Sequence, residues 1–164
     1  MSRSLLTDQV AAVASMLKAR GETVAVAESS TGGLIAASLL AVPGASAYFL
    51  GGSVVYTLAS RRELLRISAS AVEGLAPLSE PMVRRFALQA REQLGATWGV
   101  AELGAAGPTG ARYGHAAGTS VIAVTGPVTA SLTVQTGSDD REENMWRFTA
   151  EAVALLAGVL RSVG

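Results

Sequence analysis

Apolar positions at Leu6, Val10, Val13 and Leu17 recur at the spacing of one helix face, and Gly21 supplies the stop. The next run, Thr23-Val24-Ala25-Val26-Ala27, carries no charge and is β-prone, as a buried strand is. It ends in a polar turn, Glu28-Ser29-Ser30-Thr31-Gly32-Gly33. After that turn Leu34-Ile35-Ala36-Ala37-Ser38-Leu39-Leu40 reads as an apolar helix closed by Pro43-Gly44. A second strand is predicted around 52–57, then a helix carrying Arg61, Arg62, Glu63, Leu64 and Leu65. Ser79-Glu80-Pro81 sets a capping hydroxyl before an acid and a proline, so a helix starts there and is predicted to run to about Leu94. A strand follows over roughly 97–103. Residues 104–118 hold six glycines or prolines and no apolar period, the composition of a long loop. Runs 119–125 and 128–136 are β-rich, flank Gly126-Pro127 and are predicted to pair as a hairpin. Asp139 with Glu142 three residues on is a predicted capping box, and Trp146, Ala150, Val153, Leu156 and Leu160 give the last helix one apolar face. Strands alternating with helices, plus one hairpin, predict an α/β chain with a mixed sheet and helices on both faces, in one domain over residues 1–164.

Composition narrows the chemistry. The 164 residues suit a single domain with one sizeable core. Thirteen basic residues balance 13 acidic ones, so no net charge draws the chain to nucleic acid or an anionic membrane, and neither is expected as a partner. There is no Cys, which excludes disulfides, thiolate metal sites and cysteine nucleophiles together. His115 is the single His and Lys18 the single Lys, so a His-built metal site, a Ser-His-Asp triad and a lysine base are all hard to assemble. No metal or cofactor is expected. The longest uncharged stretch, 29–60, fails as a membrane span because Gly32-Gly33, Pro43-Gly44 and Gly51-Gly52 interrupt it. The N-terminus has Asp8 and Gln9 inside its apolar region and no continuous hydrophobic segment, so no signal peptide is read and a cytoplasmic protein is expected. Low charge also leaves room for an oligomer interface.

Three segments could carry chemistry. The turn Glu28-Ser29-Ser30-Thr31-Gly32-Gly33 sits between a strand and a helix, where free amides, three hydroxyls and two glycines make an anion cradle. The same turn could present a serine nucleophile beside an oxyanion hole, or be an ordinary helix start. The loop Gly104-Ala105-Ala106-Gly107-Pro108-Thr109-Gly110 also follows a strand and allows close backbone approach to a ligand. It is no Walker loop, because the lysine is missing. Tyr56 and Arg61 are the third; a buried tyrosine beside a guanidinium would have its phenolate favoured, while the plain reading is a core tyrosine and a solvated arginine. His115 reads as a solvated loop residue, and Arg84-Arg85 and Asp139-Asp140-Arg141 as exposed faces or caps.

Together these segments resemble the C-terminal domain of the CinA competence/damage-inducible proteins, the family of nicotinamide-mononucleotide amidohydrolases. The family motif A-E-S-C-T-G-G-L-I-A is matched at 27–36, with Ser30 in place of Cys. Its P-G-[AS]-S-x-x-F and G-x-x-x-Y segments are matched at 43–49 and 52–56. Its G-x-A-G-P-x-G loop is matched by Gly104, Ala106, Gly107, Pro108 and Gly110, a later G-T-V by Gly118, Thr119 and the displaced Val121, and a D-R-E-E run by 140–143. The matches run in order over essentially the whole chain. The resemblance implies a three-layer α/β/α sandwich with a mixed, mostly parallel sheet, without the companion N-terminal domain that many members carry. It implies hydrolysis of the nucleotide's carboxamide to the nicotinate nucleotide and ammonia by a Ser-Tyr-Lys set falling on Ser29, Tyr56 and Arg61. Glu28, Ser30, Thr31, Gly32 and Gly33, with Gly104, Ala106, Gly107, Pro108, Thr109 and Gly110, would then hold the substrate and supply oxyanion donors. A small-molecule nucleotide is the expected partner, and a homo-oligomer is expected by analogy.

Two positions depart from the pattern, Leu58 where the family has Asn and Arg61 where it has Lys. A serine needs its proton taken, and arginine stays protonated. If the lysine is the base, Arg61 abolishes turnover. If it only sets a cation beside Tyr56, Arg61 keeps that role and a tyrosinate becomes the base. Three readings stay open: a working amidohydrolase, a nucleotide-binding module without chemistry, and an assembly module with no small ligand.

Overall fold

The computed structural model describes residues 3–112 and 114–164. Its regular elements are α1 (Asp8–Arg20), β1 (Val24–Glu28), α2 (Leu34–Leu40), β2 (Phe49–Val54), a single turn α3 (Leu58–Ser60), α4 (Glu80–Leu94), β3 (Trp98–Ala105), β4 (Thr119–Thr125), β5 (Thr129–Gln135) and α5 (Arg141–Ser162). A wider π-helical turn, Arg61–Leu65, follows α3 directly. The five strands form one sheet in the order β2-β1-β3-β4-β5. β1 pairs in parallel with β2 and β3, while β3, β4 and β5 are joined antiparallel. Four strands therefore run one way and β4 alone runs back, so the sheet is mixed as expected, with two parallel and two antiparallel pairings.

The period-two alternation of the strands sorts the core into two layers. Val24, Val26, Trp98, Val100, Ile122 and Val124 pack against α1, α2 and α5. Ala25, Ala27, Ala101, Leu103, Val121 and Ala123 face α4. The small side chains on the second face let α4 lie close, and a Cβ added at Gly99 would overlap the Ala87 carbonyl. Helices on both faces complete the three-layer sandwich. Among the described residues no helix is long and apolar enough to cross a membrane.

Capping chemistry fixes the helix ends. Thr7 Oγ1 accepts from the Val10 amide, Ser79 Oγ from the Met82 amide, and Gly21 and Gly95 close α1 and α4 in the left-handed region that glycine enters freely. Three boundaries differ from the sequence reading. β2 starts at Phe49 rather than 52, because Gly51 and Gly52 belong to the strand; a Cβ on Gly52 would lie 2.9 Å from the Val26 carbonyl oxygen. β3 continues to Ala105, because Gly104 and Ala105 pair with Ser120 and Thr119. The cap of α5 is Asp140, which accepts from the Glu143 amide, and not Asp139. The chain offers the same acid-x-x-acid spacing in two registers, and the Asn144 amide bonds to the Asp140 carbonyl at 2.9 Å, which selects the later one. The predicted hairpin is present, with Thr125 opposite Thr129.

Candidate active site

β1 and β3 are neighbours running in the same direction, so the turn after β1 and the loop after β3 emerge at one edge of the sheet. Such an edge is where ligands collect in open α/β folds. The register sets Glu28 beside Glu102, both with side chains buried. Their hydrogen bonds build the turn. Glu28 Oε1 accepts from Thr31 Oγ1 at 2.6 Å, the Gly33 amide at 2.9 Å and the Ile35 amide at 3.1 Å, and its Oε2 from the Ala36 amide at 2.9 Å. That carboxylate satisfies the opening donors of α2 and sits at the positive end of its dipole.

Glu102 braces the same turn from β3. Its Oε1 accepts from the Ser29 amide at 3.1 Å and the Thr31 amide at 3.0 Å, and lies 3.0 Å from Thr31 Oγ1. Ser30 Oγ donates to its Oε2, which Ser120 Oγ approaches at 3.2 Å. Burial pushes the Glu102 carboxyl above the ordinary range, and this outweighs the opposing effect of the bonds from Ser30, Thr31 and Ser29. The amides that the sequence reading offered to an outside anion are thus largely used by the protein's own acids. Glu28, expected to hold substrate, is buried and accepts from amides at the start of α2. The Ser30 amide is engaged by neither carboxylate. Ser29 and Ser30 are each 5% exposed and Thr31 is fully buried.

A cleft of about 230 Å³ opens beside the turn, walled by Ser30, Tyr56, Arg112, Arg141 and the loop residues Gly104 to Gly107 and Thr109 to Ala111. Glycine is required at three places in that wall, one of them Gly110, where a Cβ would overlap the His115 carbonyl. A Cβ on Gly104 would stand 2.5 Å from Ser30 Oγ and 2.8 Å from Glu102 Oε2, and one on Gly107 would stand 2.7 Å from the Asp139 carbonyl oxygen. Pro108 follows Gly107 through a cis peptide bond. The start of α5 clamps the loop. Asn144, fully buried, donates from Nδ2 to the Ala106 carbonyl at 2.8 Å and the Ser138 carbonyl at 2.9 Å. Arg141 donates from Nη1 to the Gly107 carbonyl at 2.5 Å and from Nη2 to the Tyr56 hydroxyl at 3.0 Å.

The structure therefore brings Ser30, Tyr56 and the glycine loop together, while Glu28, Ser29, Thr31, Gly32 and Gly33 stand outside the cleft wall. Tyr56 is 54% exposed, not buried, and the guanidinium bonded to it belongs to Arg141. Arg61 donates from Nε to the Val55 carbonyl at 3.2 Å and stacks 5.1 Å from the Phe86 ring centroid. It borders a smaller adjoining cavity of about 70 Å³ that shares Gly104 and Ala111 with the cleft. Sequence reasoning missed Arg141 and Glu102, although each carried a signal. A cation in the first turn of α5 opposes the helix dipole, and a lone acid in a strand otherwise apolar asks for a partner. With Arg112 and Arg141 lining it together with the hydroxyl-bearing Ser30, Tyr56 and Thr109, the cleft can take an anion and present a hydroxyl to a polar group beside it. Among the described residues no cluster of His, Asp or Glu is arranged to hold a metal ion.

Comparison with known proteins places this geometry. The family model of the CinA C-terminal domain matches residues 6–160. The chain is 47% identical over 115 residues to a CinA-like protein of Prochlorococcus marinus (strain MIT 9313), covering 70% of this chain and 27% of that one. It is 40% identical over 149 residues to a CinA-like protein of Anaeromyxobacter sp. (strain K), covering 91% and 36%. It thus spans about a third of the length of the curated relatives it matches. Among solved structures it is similar to the competence damage-inducible protein A of Klebsiella pneumoniae subsp. pneumoniae MGH 78578. There the TM-score is 0.86 at 30% identity, over 94% of this chain and 96% of that one. The competence/damage inducible protein of Agrobacterium tumefaciens gives a TM-score of 0.82 at 26% identity, over 96% and 99%.

Proposed function

The chain belongs to the CinA C-terminal domain family, and we propose that it is an amidohydrolase converting nicotinamide mononucleotide to nicotinate mononucleotide and ammonia. The observation that carries this reading is the cleft in which Tyr56, held by Arg141, and the glycine loop face the serine turn. In the proposed reaction the Ser29 hydroxyl attacks the carboxamide carbon. The C–N bond then breaks, the nitrogen leaves as ammonia, and water hydrolyses the ester left on the serine. Tyr56 takes part as base or relay, and negative charge developing on its oxygen meets the Arg141 guanidinium. Arg61 contributes a fixed positive charge and no proton transfer. The loop donors and the guanidinium groups of Arg112 and Arg141 receive the nucleotide phosphate. A homo-oligomeric, cytoplasmic protein belongs to the same proposal.

A second reading is favoured by one observation. Arg61, where the resemblance has lysine, is lodged against Phe86 and the Val55 carbonyl, so the chain could bind the nucleotide without turning it over. Ammonia release from nicotinamide mononucleotide, with a binding titration alongside, separates the two. Turnover by the wild type that is lost in Ser29→Ala supports the enzyme. Binding without ammonia from the wild type establishes the sensor reading instead, and neither signal refutes both.

A further inference from the structure

Glu102 is fully buried, yet one hydroxyl connects it to the cleft. Ser30 Oγ donates to Glu102 Oε2, and Ser30 also forms part of the wall that carries Tyr56 and Arg141. The other groups around this carboxyl are the Ser29 and Thr31 amides and the Thr31 and Ser120 hydroxyls, and those two hydroxyls belong to residues outside that wall. An amide N–H does not pass a proton onward. A hydroxyl does, because it can accept one proton as it releases another. We infer that Glu102 is the proton acceptor of the reaction and that the Ser30 hydroxyl relays the proton to it from the cleft, an inference that rests on the amidohydrolase reading.

The chemistry needs such a group. Arg61 cannot accept a proton, and the chain's single lysine, Lys18, lies in α1 with its ammonium on the Pro43 carbonyl. A buried carboxyl above the ordinary acid range is a better-matched base than a solvated one. Glu28 on β1 meets it across the Thr31 hydroxyl, β4 presents the neutral Ser120, and Tyr56, Arg112 and Arg141 line the same cleft as Ser30.

The protons balance as follows. As the Ser29 oxygen bonds to the carboxamide carbon, its proton passes to Ser30 Oγ while the Ser30 proton moves to Glu102 Oε2. The same path reversed delivers that proton to the departing NH2 group, so ammonia leaves and an ester stays on Ser29. A water molecule then gives its proton along the path as its oxygen attacks the ester carbon. The acid is released, and the proton returns to the Ser29 oxygen. Glu102 ends each cycle as it began, and Tyr56 is a hydrogen-bonding relay rather than the terminal acceptor.

The test is the pH–rate profile of ammonia release for wild type, Ser30→Ala, Ser30→Cys and Glu102→Gln, with nucleotide affinity and thermal melts alongside. Ser30→Ala and Glu102→Gln are each expected to lower kcat by about 10²–10⁴-fold, the range of general-base contributions, and to lose the acidic limb while binding persists. Ser30→Cys is expected to restore much of the rate, since a thiol also carries a proton. If Glu102→Gln melts early, Ser30→Ala decides, because it leaves the carboxyl in place. An active wild type whose Ser30→Ala variant keeps both rate and acidic limb overturns the inference and spares the amidohydrolase reading. A wild type silent toward the nucleotide overturns that reading and the inference with it.

Discussion

Arg141→Ala separates a positioning role from a folding role more cleanly than any other single change. The guanidinium holds two partners from different segments, the Gly107 carbonyl at 2.5 Å and the Tyr56 hydroxyl at 3.0 Å. Removing it deletes one partly buried hydrogen bond to the loop, worth about 1.5 kcal/mol. The bond to the half-exposed Tyr56 counts for less, since water replaces it. Against this, a cation leaves the positive end of α5, which returns about 0.3–1 kcal/mol. The net cost is about 1 kcal/mol, or a fall of about 2–4 °C in Tm for a domain of this size. Activity should respond far more, because both the tyrosine and the loop lose their common anchor and a displacement of about 1 Å can cost about a hundredfold. Arg141→Lys keeps the charge without the fork and should fall between. The assay is kcat/KM for ammonia release together with a melt of the same samples. A variant that stays within about twofold of wild type, when a hundredfold loss is expected, refutes the positioning argument. A loss of activity that tracks a collapse in Tm means that Arg141 holds the fold and not the site.

Three further outcomes follow from the buried acids and the crowded wall. Gly104→Ala puts a methyl 2.5 Å from Ser30 Oγ and 3.1 Å from Phe148 Cε2, so it should cost about 1–3 kcal/mol by overpacking, read as a lower Tm. Glu28→Gln turns an amide toward donors at the start of α2 and strands at least one of them, costing about 1–3 kcal/mol. Urea unfolding should show its midpoint lowered with an unchanged slope. For Glu102 the folded carboxyl titrates above its unfolded value, so between the two values the native state holds more protons and stability falls as pH rises. Below the unfolded value both states are protonated and the effect vanishes. Stability measured against pH should therefore lose this downward slope in Glu102→Gln, and an unchanged slope would show that another group is responsible.

The layers of the fold were legible because periodicity reports burial directly. The α1 stripe, the uninterrupted apolar run of β1, the hairpin and the apolar face of α5 all reflect one requirement, that each element bury a face. Boundaries slipped where glycine entered a strand. Gly51 and Gly52 look like a loop in sequence, yet both pair with β1 as part of β2, and at Gly52 the β1 backbone leaves no room for a Cβ. The site was half legible. The turn and the glycine loop were visible because hydroxyls and glycines cluster there. What joins them was not, because Arg141 lies 85 positions from Tyr56 and Glu102 lies 72 from Ser30. The sheet order makes the second pair neighbours and the placement of α5 the first, and no local pattern encodes either.

That distance matters most for the arginine at position 61. A lysine there would unite a positive charge and an exchangeable proton in one group, whereas arginine keeps the charge and gives up the exchange. If the relay from Ser30 to Glu102 is the acceptor, the chain has divided the two tasks, and restoring lysine has little to add. Arg61→Lys would then lose the stacking on Phe86 and the bond to the Val55 carbonyl, with ammonia release unchanged or lower. If instead the arginine has disabled a lysine-based enzyme, the same substitution should raise the rate by about 10²-fold or more, the scale of a recovered general base. Running Arg61→Lys on the Ser30→Ala background makes the comparison decisive. Recovery there would show that lysine bypasses the relay and that the proton path is interchangeable. Without recovery, a lysine at position 61 does not replace the relay, as a path through the buried acid requires.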